Sequence, residues 1–266
     1  MAQEKWLIDG PKIIDIESVR TLKVSLVAGQ VDIVGHDEPT AHIEVHSVSG
    51  KELKISIDGD TLEIDHPQLR WDNFIDVFKS FRGSARADIS IMVPRDIALK
   101  FGVVSATALI SGLTDDASVS TVSGDIAIDG VYGDLKLNTV SGEIAVRNHY
   151  GAIAAHTVSG DITATGEVMK FTSEGVSGAV FLDITGEPDE VRISTVSGDI
   201  TTRLAAGVPA QYKINTVSGR LQLDDSSIAG VRGSYTGKYG TLDGRWLDFK
   251  ANTVSGDISV LHSVNA

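Results

Sequence analysis

The chain has 266 residues, no cysteine and a formal net charge of −13, with 42% hydrophobic and 22% charged residues. That composition suits a folded protein with a substantial core, and the absence of cysteine excludes disulfides, thiolate metal sites and thiol catalysis. The acidity is spread as 12 basic against 17 acidic residues in 1–100 and 11 against 19 in 101–266, which argues against nucleic acid as a partner and suits a cationic one. The first ten residues lack an apolar signal core, and nowhere do 18 apolar residues run together. Neither a signal peptide nor a membrane span is therefore expected, and a cytoplasmic location is the default, with cell-surface association left open.

In chain order, residues 1–100 read as an irregular β-rich region. Alternation of apolar and polar residues predicts strands at 12–17, 20–28, 30–35, 40–48, 52–58, 61–65, 86–93 and 96–104, with turns at Asp58-Gly59-Asp60 and Pro94-Arg95-Asp96. Leu26–Ile33 and Val48-Ser49-Gly50 echo the repeat found further on, so this region reads as a worn continuation of the repeats or as an antiparallel cap. On the strand at 40–48, His42, Glu44 and His46 share one face, a candidate zinc site weighed against the plainer reading of a wet strand face. An insertion at 70–82 breaks the β pattern. Apolar residues at 71, 74, 75 and 78 fall at helical spacing, beside Arg70, Lys79, Arg82 and Arg86, and Trp71, Phe74, Phe78 and Phe81 form a possible interaction surface or a short helix packed on the β core.

From residue 101 a repeat dominates. Thr-Val-Ser-Gly ends at Gly124, Gly142, Gly160, Gly198, Gly219 and Gly256, with Gly-Val-Ser-Gly ending at Gly178 and a worn Ser-Tyr-Thr-Gly ending at Gly237. With Val104-Ser105-Ala106 placed on the same frame, successive marks lie 18, 18, 18, 18, 20, 21, 18 and 19 residues apart. Each unit holds two short period-2 strands separated by turn residues, as in Ile126–Ile128 and Leu135–Leu137, and cannot bury its apolar face alone. The expectation is an all-β, single-stranded β-solenoid with coils of about 18 residues over 101–266, preceded by the β-rich region 1–100.

The columns of such a stack can be read off directly. Ala108, Ile126, Ile144, Ile162, Val180, Ile200, Leu221, Tyr239 and Ile258 stand two residues after the marks and form one core column. Thr121, Thr139, Thr157, Thr195, Thr216 and Thr253 form a hydroxyl column, and Ser123, Ser141, Ser159, Ser177, Ser197, Ser218 and Ser255 form another, suited to a corner. The acids that follow the marks, among them Asp125, Glu143 and Asp161, are candidate calcium ligands, against the reading that each caps its own turn. The mark serines repeat in equivalent environments, so none is singled out as a nucleophile, and no cofactor-binding motif is present.

The stretch Val27–Ile33, the strand Ile89–Pro94 and the units from Val104 to Val260 resemble the bacterial β-strand-repeat family of putative adhesins, otherwise a domain of unknown function. The resemblance implies a β-solenoid-like, non-catalytic protein, with some relatives linked to the cell envelope or envelope stress, and it carries over no catalytic residues. The expected function is a non-enzymatic adhesin-like or scaffolding module without cofactor, whose partner is a protein or an envelope component. An intracellular protein that self-associates end to end is the alternative, followed by a β-helix enzyme acting on polysaccharide. Specificity is expected at 187–190, 205–210 and 71–81 rather than in the repeated motif itself.

Overall fold

The structure, a computed structural model, describes residues 4–66, 85–228 and 233–263, so the aromatic stretch 71–81 lies outside the described residues. Every regular element described is a strand, 24 in all among these residues, and the fold class is all-β. The chain divides into two compact units, 1–133 and 134–266. Residue 100, the division expected from the repeats, falls inside a strand of the first unit.

The first unit holds β1 (Glu4–Ile8), β2 (Lys12–Ile16), β3 (Thr21–Leu26), β4 (Ala28–His36), β5 (Ala41–Ser49), β6 (Leu53–Asp58), β7 (Thr61–Asp65), β8 (Arg86–Pro94), β9 (Ala98–Val103), β10 (Thr107–Ser111), β11 (Ala117–Thr121) and β12 (Ile126–Asp129). The expected strands agree with these within two residues, and β1 was not anticipated. The strands form two sheets. One runs β1-β6-β7-β3-β9-β11 and the other β2-β5-β8-β4-β10-β12. Leu22, Val24, Phe101 and Val119 from the first sheet, and Val31, Ile33, Ile89, Ile91 and Ile110 from the second, are fully buried at alternate positions. That is the burial expected of two sheets that each keep one wet face. Pairing is parallel where β3, β4 and the later strands meet, and antiparallel around β1, β2, β5 and β6. The region thus carries both the parallel pairing of a stack and antiparallel pairing.

The second unit holds β13 (Leu135–Thr139), β14 (Ile144–Thr157), β15 (Ile162–Gly175), β16 (Val180–Ile184), β17 (Glu190–Ser194), β18 (Ile200–Leu204), β19 (Ala210–Ser218), β20 (Leu221–Leu223), β21 (Ser226–Ile228), β22 (Gly233–Tyr239), β23 (Leu247–Ser255) and β24 (Ile258–His262). It also has two sheets, because β14 and β15 are long enough to contribute one half to each. One sheet runs β13-β14-β15-β17-β23-β19-β22, and the other β14-β15-β16-β18-β24-β20-β21.

Two expectations about the winding are corrected here. A solenoid wound in sequence order would put the last coil at the end, yet Ile258 pairs with Ile200 on one side and Leu221 on the other. The coil β23–β24 therefore lies between coils β17–β18 and β19–β20. The worn mark ending at Gly237 is no corner either. It lies within β22, which runs antiparallel to β19 and sets Tyr239 opposite Ala210, outside the core column.

Candidate binding groove

Apart from the worn one ending at Gly237, the marks build corners where the chain leaves one sheet for the other. The Thr121 hydroxyl donates to the Gly124 carbonyl at 3.0 Å and accepts the Gly124 N–H at 2.9 Å, and Thr157 and Gly160 repeat the pair at 2.8 Å each. The threonine thus closes a three-residue turn from inside. The serine ties one coil to its neighbour. Ser159 N–H and Oγ both donate to the Val140 carbonyl, at 2.8 and 3.1 Å, and Ser177 does the same with Val158. Glycine is required because the coils touch there. A Cβ on Gly198 would lie 2.2 Å from the Gly178 carbonyl oxygen, and one on Gly256 would lie 2.2 Å from that of Gly198. In the first unit Gly29 is held the same way against Ala87, and Ser105 bonds the Val27 carbonyl, so the echo at 26–33 is a true corner.

Three of the acids after the marks bond the neighbouring coil. Asp161 accepts the Ala179 N–H at 2.7 Å, Asp199 the Asp257 N–H at 2.9 Å, and Asp257 the Arg220 N–H at 2.8 Å. Asp125 and Glu143 are exposed on their corners. His42, Glu44 and His46 do lie on the outer face of β5, where His46 Nδ1 stands 3.6 Å from Glu44, but the three do not converge on one point. His42 Nδ1 meets Asp15 at 2.5 Å, while His46 Nε2 turns to Ser90 at 2.8 Å. Among the described residues no group of three or more His, Cys, Asp or Glu could hold a metal ion.

The alternation that buries Thr157, Thr216 and Thr253 turns the following valine outward. In the second unit Val158, Val176, Val196, Val254 and Val217 form a column 49 to 63% exposed. Two residues earlier runs a polar row, in which Glu174 pairs with Ser194, Ser194 with Asn252, Asn252 with Asn215, and Asn215 with Ser234. Asn215 Nδ2 donates to Asn252 Oδ1 at 2.7 Å, and Asn252 Nδ2 to Ser194 Oγ at 3.3 Å. Between the two rows lies an open groove of about 880 Å³, with Val196, Val254 and Val217 on one side and the amide row on the other. Glu174, at its end, stands 3.7 Å from His156. The groove is thus lined by the repeated motif and not by the variable loops. Its signal was present in the sequence: if Leu137 and Thr139 face inward, period two sends the residue after the threonine outward.

Two further clusters escaped the sequence reading. His262, stacked on Tyr239 with ring centroids 3.7 Å apart, sets Nδ1 against Asp224 at 3.1 Å and Nε2 against the Val208 carbonyl at 3.0 Å. It fastens the end of β24 to the connections 205–209 and 224–225, and burial pushes the neighbouring Tyr212 hydroxyl up. In the first unit His66 is buried, and its Nδ1 accepts the Val27 N–H at 3.2 Å. Desolvation, with Lys51 nearby, holds its imidazole down at about 4.

No helix among the described residues is long and apolar enough to cross a membrane. No curated protein sequence matches the chain at a significant level. A crystal structure from Parabacteroides distasonis, described as a putative lipid binding protein, shares the fold at 14% identity with a TM-score of 0.53, over 96% of this chain and 99% of that one. A putative adhesin from Bacteroides fragilis is similar at 12% identity over 94% and 97% of the two chains, with a TM-score of 0.47. A putative cell adhesion protein from Clostridium sporogenes aligns at 12% identity over 98% and 100%, with a TM-score of 0.30. The family described as Toastrack DUF4097 matches residues 21–261, and the chain belongs to it.

Proposed function

We propose that the chain is a non-enzymatic, adhesin-like binding module, solenoid-like in the local winding of its coils, which holds a protein or envelope partner in the groove of 134–266. The observation that carries this reading is the row of half-exposed valines set beside an amide row. A contiguous apolar strip rimmed by polar groups is what an interaction site offers, whereas scattered exposed valines would mean nothing. A polysaccharide-cleaving role fits less well, since Glu174 is the one ionisable side chain among the described residues lining the groove and glycoside hydrolysis uses a pair of carboxylates. End-to-end self-association is also less favoured. The edge strands β1 and β2 carry Glu4, Lys5, Lys12 and Asp15, charges of the kind that blunt edge pairing.

The test is co-sedimentation of the purified chain with bacterial envelope fractions, beside the double variant Val196→Lys/Val217→Lys. Both positions are half-exposed, so the variant keeps its fold. Wild-type protein should sediment with the envelope and the variant should stay in solution. Equal partition of the two contradicts the reading.

A further inference from the structure

Resting on that reading, we infer that the groove takes an extended, proline-rich segment of a partner chain in the polyproline II conformation, lying across the strands. The lining sets strict dimensions. Its two rows are two residues apart along each strand, about 6.6 Å, and its rungs are successive strands about 4.8 Å apart. Five strands contribute, from Glu174 to Ser234, so the groove is about 19 Å long.

These dimensions discriminate between occupants. An α-helix about 10 Å wide does not enter a slot of about 6.6 Å, and its pitch of about 5.4 Å drifts from the rungs. A β-strand repeats a face about every 6.7 Å, out of step by the second rung. A polyproline II segment repeats a face every three residues, about 9.3 Å, which matches two rungs at about 9.6 Å, and six residues span about 19 Å. The chemistry agrees. Such a segment leaves its backbone carbonyls unpaired. In the amide row Asn215 and Asn252 each spend one N–H on the neighbour, and each amide has a second to give. Prolyl rings on one face would then lie on Val196 and Val217, two rungs apart, with Val254 on the rung between them. A second copy of this chain is a poor occupant, because the footprint of about 130 Å² falls far below the roughly 800 Å² per partner of a stable dimer. An acyl chain would satisfy the valines and desolvate the amides without pairing them.

The experiment is an NMR titration of the labelled full-length chain with a nonaproline peptide. The comparison ligands are a glycine–serine peptide of equal length, an amphipathic helical peptide and a medium-chain fatty acid. Nonaproline should shift the side-chain amides of Asn215 and Asn252 and the methyls of Val196, Val217 and Val254. Asn252→Ala and Val254→Lys should each weaken binding by about tenfold or more, a loss of about 1.4 kcal/mol. Val158→Lys, on the same column but outside the groove, should leave binding unchanged. No shifts with nonaproline, shifts that survive both groove variants, or preference for the helix or the fatty acid would overturn the inference. If nonaproline fails while Val196→Lys/Val217→Lys still abolishes envelope binding, the ligand class falls and the groove stands. If both fail, the groove falls as well.

Discussion

The two units use one corner and treat its valine in opposite ways. Val27, Val104 and Val122 are less than a tenth exposed in the first unit, while in the second Val140 is intermediate and Val158, Val176, Val196, Val217 and Val254 are about half-exposed or more. Much of the corner hardware is shared: threonine closes the turn at Gly124 in the first unit and at Gly160 in the second, serine bonds the neighbouring coil and glycine permits the contact. Thr-x-Ser-Gly is therefore a requirement of stacking, indifferent to function. The outward valine is free to be covered or displayed, and in the first unit the buried His66 lies at that corner against Val27. The units also share an irregularity. Each has a coil inserted out of sequence order, β3–β4 in one and β23–β24 in the other, and each ends one edge with antiparallel strands.

The sharpest way to break this comparison is to place a charge on each valine. Val122→Asp buries an unpaired carboxylate and should cost about 3–5 kcal/mol, while Val254→Asp should stay within about 0.5 kcal/mol, both read from urea unfolding. Similar losses at both sites would remove the distinction. Next come the glycines, where the units should agree. Gly29→Ala and Gly256→Ala each force a Cβ to within 2.2 Å of a carbonyl oxygen at positive φ, and each should cost about 3 kcal/mol or more. Gly59→Ala, at φ +66 in open space, should cost only about 1 kcal/mol.

A pH dependence should belong to the covered corner. The unfolded chain takes up a proton at His66 near 6.5, and the folded chain only near 4. Stability is therefore complete above about pH 6.5 and falls as the pH drops toward 4, by about 3 kcal/mol at most. His66→Asn keeps an acceptor for the Val27 N–H and should flatten that part of the curve, measured by urea unfolding at about pH 7 and about pH 4.5. The smallest effect lies in the threonine column. Thr121→Val breaks two hydrogen bonds to Gly124 and should cost about 1–2 kcal/mol, whereas Thr253, whose hydroxyl has no partner among the described residues, should accept valine at little or no cost. Equal costs at the two positions would mean that both corners close alike.

The sequence disclosed the strands, the corner and the core columns because stacking imposes them on every coil. Coil order was hidden for the same reason. Ile200, Ile258 and Leu221 sit in equivalent frames, so nothing local says that Ile258 stands between the other two. Tyr239 fitted the spacing, yet period alone is blind to strand direction, and β22 runs antiparallel. The acidic column was half legible: a turn acid caps a backbone N–H, but only the stack shows that the N–H of Ala179 belongs to the next coil from Asp161. The groove is hard to read from the sequence because its valines belong to a structural motif, although alternation from the buried Thr216 and Thr253 turns Val217 and Val254 outward.

The central claim is that one valine is covered and its counterpart displayed, and the absence of native cysteine makes this directly measurable. In the single variants Val122→Cys and Val254→Cys, the introduced thiol is the only one to react with a soluble maleimide. Cysteine at 254 should be labelled about as fast as a free thiol, and at 122 at least about a hundredfold more slowly, limited by opening of the first unit. Comparable rates at the two positions would contradict the account.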